Sequence, residues 1–105
     1  MNLLFICSLN QVRSLTAEHI FQTLSNHNVR SAGTQSNARV VVNAPLITWA
    51  DTIFVMQKEH EEKMRAKFSK QLQHKKIVCL DIDDHYHYMD EELVTTLRAS
   101  VNPYL

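Results

Sequence analysis

Four short runs rich in apolar residues, each followed by a segment with helical periodicity, constrain the fold of this chain most. Wholly apolar runs of this length are typical of strands that are buried on both faces. Strands that alternate with helices form a parallel sheet, with helices on both faces and right-handed crossovers. The pattern therefore predicts an α/β fold whose four strands are residues 3–6, 29–32, 52–56 and 76–80.

The predicted helices begin at residues that can cap them. Ser14 is expected to cap the first helix, with Glu18 in its first turn. Asn43 and Asp90 are expected to cap the second and fourth helices. The third helix is predicted over residues 58–72, and the segment 34–42 is predicted to be a loop.

Length and charge exclude several classes of protein. The 105 residues suit one domain, 1–105, and the eleven basic and eleven acidic side chains cancel. A net charge of zero argues against binding to nucleic acid or to a membrane surface. No apolar run approaches the roughly 18 residues of a membrane span, and residues 1–7 do not resemble a secretory signal. We therefore expect a cytoplasmic protein with two reduced thiols, of which Cys79 belongs to the core.

Two segments carry the chemistry of the chain. The first follows strand 1 (residues 7–14), and the second follows strand 4 (residues 81–87). Parallel strands end at the same edge of a sheet, and ligands bind there at the point where the strand order reverses. The fold therefore predicts that these two segments meet, although they lie far apart in sequence.

The first segment has the residue types of an anion site with a nucleophile. Backbone N–H groups in a loop that precedes a helix form a nest for a tetrahedral dianion, and the same field favours the thiolate of Cys7. Arg13 can donate two hydrogen bonds to phosphoryl oxygens. The Ser14 hydroxyl can hold the ionised sulfur. The residues predicted to hold the phosphate are Ser8, Leu9, Asn10, Gln11, Val12, Arg13 and Ser14.

These residues resemble a known family. The low-molecular-weight protein tyrosine phosphatases carry a Cys, five residues, Arg and Ser at this turn, with a central Asn that matches Asn10 here. The resemblance continues in the same order along most of the chain and is nearest to a short bacterial branch. The similar segments are residues 16–18, 31–34, 38–39, 50–56 and 83–90.

The resemblance implies a fold, a reaction and a proton donor. The implied fold is a three-layer, Rossmann-like α/β/α sandwich with strand order 2-1-3-4. The implied enzyme is a phosphomonoester hydrolase that needs no metal or cofactor and acts on phosphotyrosine proteins or small aryl phosphates. Cys7 would be the nucleophile, and the general acid falls on Asp84, with Asp83 as the competitor. Arg39 and Tyr86 are candidates for the cleft.

The chain departs from the family pattern at three positions, and these leave other functions open. Leu9 replaces a small residue, Leu15 replaces a Pro, and His85 replaces a Pro in the acid segment. The chain is also shorter than ordinary members. One alternative is a module that binds phosphate or phosphopeptides without turnover. Others are an arsenate reductase, for which only Cys79 could supply a further thiol, and a phosphatase of nucleotides or RNA ends.

Each candidate also has an ordinary structural interpretation. Cys7 alone would be interpreted as a core thiol, because free cysteines are among the most buried residues. The carboxylates and histidines of the segment 81–87 have the atom types of metal ligands, but a solvated turn explains their spacing better. Arg39 could be a solvated charge, and Tyr86 could pack on the last helix.

Overall fold

A four-stranded parallel sheet forms the centre of the protein, as the computed structural model shows for residues 1–24 and 26–105. The strands are β1 (Asn2–Cys7), β2 (Asn28–Gly33), β3 (Thr52–Val55) and β4 (Lys76–Cys79). The helices are α1 (Arg13–Phe21), α2 (Ala44–Trp49), α3 (Lys58–Leu72) and α4 (Glu91–Val101), and a short 3₁₀ helix (Asn102–Tyr104) follows. No helix within the described ranges is long and apolar enough to cross a membrane.

The strand order is β2-β1-β3-β4, which confirms the predicted fold. In the register of the sheet, Cys7 at the end of β1 lies opposite Gly33 of β2, and Ile6 lies opposite Val55 of β3. The chain leaves β1 towards β2 on one side and later returns past β1 to β3 on the other. This reversal leaves a crevice beyond the carboxyl end of β1, where ligands bind in open α/β sheets.

Side chains that alternate along β1 build a core on each face of the sheet. Leu3 and Phe5 belong to the core that α1 and α4 cover, where Phe5 stacks between Phe21 and Phe54 at ring-centre distances of 5.5 and 5.0 Å. Leu4 and Ile6 belong to the core that α2 and α3 cover. β1 is therefore buried on both faces, as its wholly apolar sequence predicts.

The prediction that Cys79 lies in the core is wrong. Its side chain is exposed, and only Val78 of β4 is buried. β4 is the outer strand of the sheet, and the helices cover an outer strand less completely than a central one. An apolar run alone cannot distinguish these two positions.

The structure confirms two of the three predicted helix caps. The Asn43 side chain accepts a hydrogen bond from the Leu46 N–H (2.9 Å), and the Asp90 side chain accepts one from the Glu92 N–H (3.1 Å). The Ser14 cap is wrong, because α1 begins one residue before it and no side chain caps that helix. The hydroxyl of Ser14 instead forms hydrogen bonds at the crevice.

Candidate active site

The loop between β1 and α1 curls into a bowl at the crevice. We call residues 7–14 the anion loop. Asn10 is fully buried with a φ of 58°, a left-handed conformation that Asn tolerates better than most residues. Gly33 lies against the loop so closely that a Cβ atom there would clash with the Ser8 carbonyl oxygen and lie 2.7 Å from the Ala38 Cβ. The only glycine of the chain therefore allows the loop to close.

The sulfur of Cys7 lies at the base of this loop, where hydrogen-bond donors surround it. The Ser14 Oγ is 2.9 Å from the sulfur, and the backbone N–H of Asn10 points at it from 3.3 Å. The side chain is 3% exposed and lies at the end of β1, in the loop that leads into α1. Donors and a helix N-terminus stabilise a thiolate over a thiol, so the site suits a nucleophilic cysteine.

A chain of hydrogen bonds behind the loop sets the direction of the Ser14 hydroxyl. The Asn10 Nδ2 donates to Ser14 Oγ (2.7 Å) and to Ser31 Oγ (2.9 Å). Ser31 in turn donates to the Glu18 carboxylate (2.6 Å). Because Ser14 already accepts from Asn10, its own hydrogen can be donated to the Cys7 sulfur at 2.9 Å, which is nearer than its other acceptor, the Ala32 carbonyl oxygen at 3.5 Å. Glu18 thus supports the network. The prediction that it lies in the first turn of α1 is wrong.

Arg13 is buried and lines the same crevice as Cys7. Its side chain is 2% exposed. The Nη1 donates to the Gln57 Oε1 (2.6 Å) and to the Ile82 carbonyl oxygen (2.8 Å). These two acceptors hold the planar guanidinium at one wall of the crevice, where it can face a bound oxyanion.

One carboxylate of the loop between β4 and α4 faces the same crevice. We call residues 80–90 the acid loop. Asp84 is 67% exposed, and its Oδ1 is 3.6 Å from the Arg13 Nε. Asp84 lines the crevice with Cys7, Arg13 and four other residues of the anion loop, namely Ser8, Leu9, Gln11 and Val12. Asp83 is exposed and is not part of this lining.

Two residues predicted for the cleft lie outside this lining. The Arg39 Nε donates to the Asn10 carbonyl oxygen (3.1 Å), so this side chain supports the anion loop from outside. Tyr86 is half-buried, packs against the core under α1 and α4, and contacts the His85 ring. The Tyr86 ring thus packs against the apolar core, and its place in the cleft stays a prediction.

His60 is a buried residue of the site that the sequence analysis missed. Its side chain is fully buried, and its Nε2 is 3.0 Å from the Ser8 Oγ. Burial, followed by the nearby positive charge of Arg13, lowers the pKa of His60 from 6.5 to about 4. A signal was present in the sequence, because His60, Met64 and Leu72 share the buried face of α3.

Some carboxylates and histidines of the acid loop have other partners in the structure. Among residues 1–24 and 26–105, no group of three or more His, Cys, Asp or Glu side chains is arranged to hold a metal ion. His87 instead contacts Asp90, with 3.2 Å between Nδ1 and Oδ2, and Asp84 faces Arg13.

The sequence matches the family model described as low molecular weight phosphotyrosine protein phosphatase over residues 2–81. The chain belongs to this phosphatase family. The match confirms the resemblance predicted from the anion loop. Members of the family are cysteine-dependent hydrolases of phosphate monoesters, which is the chemistry that the Cys7 surroundings favour. The sequence matches no curated protein significantly.

Solved structures of phosphatases share the fold of this family member at low sequence identity. Tyrosine phosphatase Wzb from Escherichia coli K30, in complex with phosphate, is 19% identical, with a TM-score of 0.80 and coverage of 98% of this chain and 94% of that chain. Wzb from Vibrio vulnificus, in complex with benzylphosphonate, is 21% identical (TM-score 0.79, coverage 98% and 95%). The YwlE arginine phosphatase from Geobacillus stearothermophilus is 19% identical (TM-score 0.75, coverage 98% and 92%).

Proposed function

We propose that this family member hydrolyses aryl phosphomonoesters, phosphotyrosine in proteins above all, through a phosphocysteine intermediate on Cys7. The observation that carries the proposal is that one crevice brings together the Cys7 sulfur, the buried Arg13 guanidinium and the Asp84 carboxyl group. A nucleophile, a cation and an acid are the three groups that this reaction needs. We assign them to these three residues.

In the first step, the Cys7 thiolate attacks the phosphorus, and the bond between phosphorus and the aryl oxygen breaks. Asp84 in its protonated form gives its proton to the departing oxygen, so the alcohol leaves neutral. Arg13 and the N–H groups of the anion loop hold the three non-bridging oxygens, over which negative charge is spread. The products are the free alcohol and a phosphorylated sulfur.

In the second step, water attacks the phosphorus of the intermediate, and the bond between phosphorus and sulfur breaks. The Asp84 carboxylate accepts a proton from this water and returns to its protonated form. Inorganic phosphate leaves, and the donors from Ser14 and the Asn10 N–H stabilise the thiolate that is regenerated.

The choice of an aryl substrate rests on the walls of the crevice and on the family. Leu9 and Val12 give the opening an apolar side, against which an aromatic ring can pack. The family description names phosphotyrosine, and Wzb is called a tyrosine phosphatase, whereas YwlE is called an arginine phosphatase. Phosphoarginine and nucleoside monophosphates are therefore the comparison substrates in the test.

The test is an assay of the purified chain with para-nitrophenyl phosphate and a phosphotyrosine peptide in the presence of EDTA. We expect turnover by the wild-type chain and a loss of about 10⁴-fold or more in Cys7→Ser. Cys79→Ser is the matched control, because Cys79 is the other free thiol and lies exposed on β4. Its rate is expected to equal that of the wild type.

Other outcomes separate the alternative functions. Full activity of Cys7→Ser contradicts the mechanism. Tight binding of inorganic phosphate without turnover of any ester identifies a binding module. Faster turnover of phosphoarginine or of a nucleoside monophosphate than of phosphotyrosine overturns the assignment of the substrate. A dependence of turnover on Cys79 with arsenate as the substrate identifies a reductase.

We also propose that this function resides in a single domain, 1–105, in the cytoplasm. The proposed nucleophile must remain a reduced thiol, and both cysteines are free in the structure. A reducing compartment such as the cytoplasm maintains that state. The proposed partner is a phosphorylated protein or a small aryl phosphate, with no nucleic acid involved.

A further inference from the structure

Both ring nitrogens of the buried His60 have defined partners. The backbone N–H of Gln57 donates to the Nδ1 (3.0 Å), so this nitrogen acts as an acceptor. In a neutral imidazole with an accepting Nδ1, the proton is on Nε2. The Nε2–H therefore donates to the Ser8 Oγ at 3.0 Å.

This hydrogen bond determines what the Ser8 hydroxyl can do. Ser8 lines the crevice directly after Cys7. Because the Ser8 Oγ accepts a hydrogen bond from the His60 Nε2–H, the hydrogen of its own hydroxyl remains available for donation. A hydroxyl that donates next to the nucleophile complements the charge of a phosphoryl group in the crevice.

The N-terminal end of α3 thus holds the anion loop at two points. His60 contacts Ser8, near the start of the loop, and Gln57 accepts a hydrogen bond from Arg13, near its end. Ser8 and Arg13 both line the crevice. One helix end can therefore set the positions of these two residues relative to each other.

Charged groups from three elements face His60 and oppose one another. Arg13 of α1 and Lys63 of α3 favour the neutral ring, whereas Glu59 of α3 and Asp84 of the acid loop favour the protonated ring. Burial is the largest influence and lowers the pKa of His60 to about 4. The ring is therefore neutral near pH 7, in the form that donates through Nε2.

We propose that His60 is a positioning residue that acts through Ser8, whose hydroxyl it holds as a donor to a phosphoryl oxygen in the crevice. His60 itself does not touch the substrate. The proposal rests on the proposed function for the reaction that it assists. It also makes a separate claim about phosphate affinity, which does not depend on turnover.

A double-mutant cycle tests this coupling. We expect His60→Phe and Ser8→Ala each to lower kcat/KM about tenfold, the effect of one hydrogen bond to a charged group. The double variant is expected to lose no more than either single variant, because both changes remove the same donor. If the double variant loses about a hundredfold in kcat/KM, the two effects are independent and the proposal is overturned.

Two further variants distinguish positioning from packing. His60→Gln keeps an amide that can donate to Ser8 and is expected to lie within about threefold of the wild type. Met64→Ala removes a buried side chain one turn further along α3, so we expect it to lower thermal stability while kcat/KM is unchanged. If Met64→Ala reduces kcat/KM as much as His60→Phe, the effect of His60 is one of packing and the proposal fails.

Titration with inorganic phosphate separates this proposal from the proposed function. We expect about tenfold weaker binding in His60→Phe than in the wild-type chain. If the wild type binds phosphate but hydrolyses no ester, the proposed function fails and this comparison still decides the role of His60. Equal affinities in the two proteins overturn the role of His60, whatever the turnover.

The tautomer of His60 gives a test that needs only the wild-type fold. Nitrogen chemical shifts of labelled histidine report which ring nitrogen carries the proton. We expect His60 to be neutral, with the proton on Nε2, at about pH 7. A proton on Nδ1, or on both nitrogens, contradicts the proposal.

Discussion

The anion loop and the acid loop lie at the same edge of the sheet but are held very differently. The anion loop is largely buried, and its Cys7, Asn10 and Ser14 are joined by hydrogen bonds of 2.7–3.3 Å. The acid loop is fixed mainly near its ends. There the Ile82 N–H donates a hydrogen bond to the Met56 carbonyl oxygen (2.7 Å), and the Met89 N–H donates one to the Thr16 hydroxyl (3.0 Å). The segment between those two points is mostly exposed.

The difference matches two demands of the proposed reaction. Charge stabilisation works best with donors that are fixed before the substrate arrives, since reorganising them costs free energy. Proton transfer to a leaving group needs a general acid that the substrate can approach. The acid must also leave a path by which the product alcohol can depart. An anion loop with fixed donors, together with an accessible carboxyl group in the acid loop, meets both demands. The following predictions separate the two loops.

Among the changes that compare the two loops, the largest effect is expected for Arg13→Lys in the anion loop. The Gln57 and Ile82 oxygens that hold the guanidinium cannot hold an ammonium in the same position, and the planar fork towards the phosphate is lost. We expect kcat/KM to decrease about 1000-fold, or about 4 kcal/mol, with weaker phosphate binding. Steady-state kinetics and phosphate titration measure the two effects. A decrease below about tenfold contradicts the role of Arg13.

The support of the anion loop is expected to weaken in acid. The pKa of His60 in the folded protein, about 4, is below the usual 6.5, so the unfolded state binds the proton more readily. The contribution of the neutral His60 to the free energy of unfolding is complete above about pH 6.5. It is lost as the pH falls towards 4, and the loss is at most about 3 kcal/mol.

Chemical unfolding at several pH values, for the wild type and for His60→Phe, measures this contribution. The wild type is expected to lose more free energy of unfolding over this interval than the variant, because carboxylates titrate in both proteins. Parallel pH profiles of the two proteins would show that His60 is not buried as a neutral ring.

In the acid loop, we expect Asp84→Asn to lower kcat about 100-fold and to change phosphate affinity less than threefold. The amide cannot donate the proton, but the anion loop stays intact. Asp83→Asn is the matched control, since Asp83 is the exposed neighbour outside the crevice. A larger loss in Asp83→Asn would assign the general acid to that residue instead.

The smallest effect is expected for Thr16→Val, which removes the hydroxyl that accepts the Met89 N–H. We expect about a threefold lower kcat and a loss of about 1 kcal/mol in stability, with unchanged phosphate affinity. Kinetics and thermal unfolding together report the change. Weaker phosphate binding in this variant would mean that the contact between Met89 and Thr16 also supports the anion loop.

The sequence predicts most of the fold because its apolar patterns are local. The bounds of α3, Lys58–Leu72, are those predicted, and the strand order follows from the resemblance to the family. Cys79 was misplaced because an apolar run looks the same on an outer strand as on a central one. The local pattern of apolar residues does not indicate which strand lies at the edge of the sheet.

The candidate site was predictable in its residue types but not in its connections. The spacing from Cys7 to Ser14 indicated a nucleophile loop, but a Ser at a helix start also has the pattern of a cap. Only the fold shows that its hydroxyl contacts the sulfur. His60 was missed because its partner, Ser8, lies 52 positions away in the sequence. Contacts over such separations depend on the sheet topology.

Trapping the covalent intermediate tests the central claim most directly. The wild type and Cys7→Ser are mixed with an aryl phosphate, quenched in acid within milliseconds to seconds, and digested for mass spectrometry. We predict one phosphoryl group on the Cys7 sulfur of the wild-type chain and none on Cys79. Release of the aryl alcohol while Cys7 stays unmodified, or a phosphoryl group on another residue of the wild type, would contradict the account.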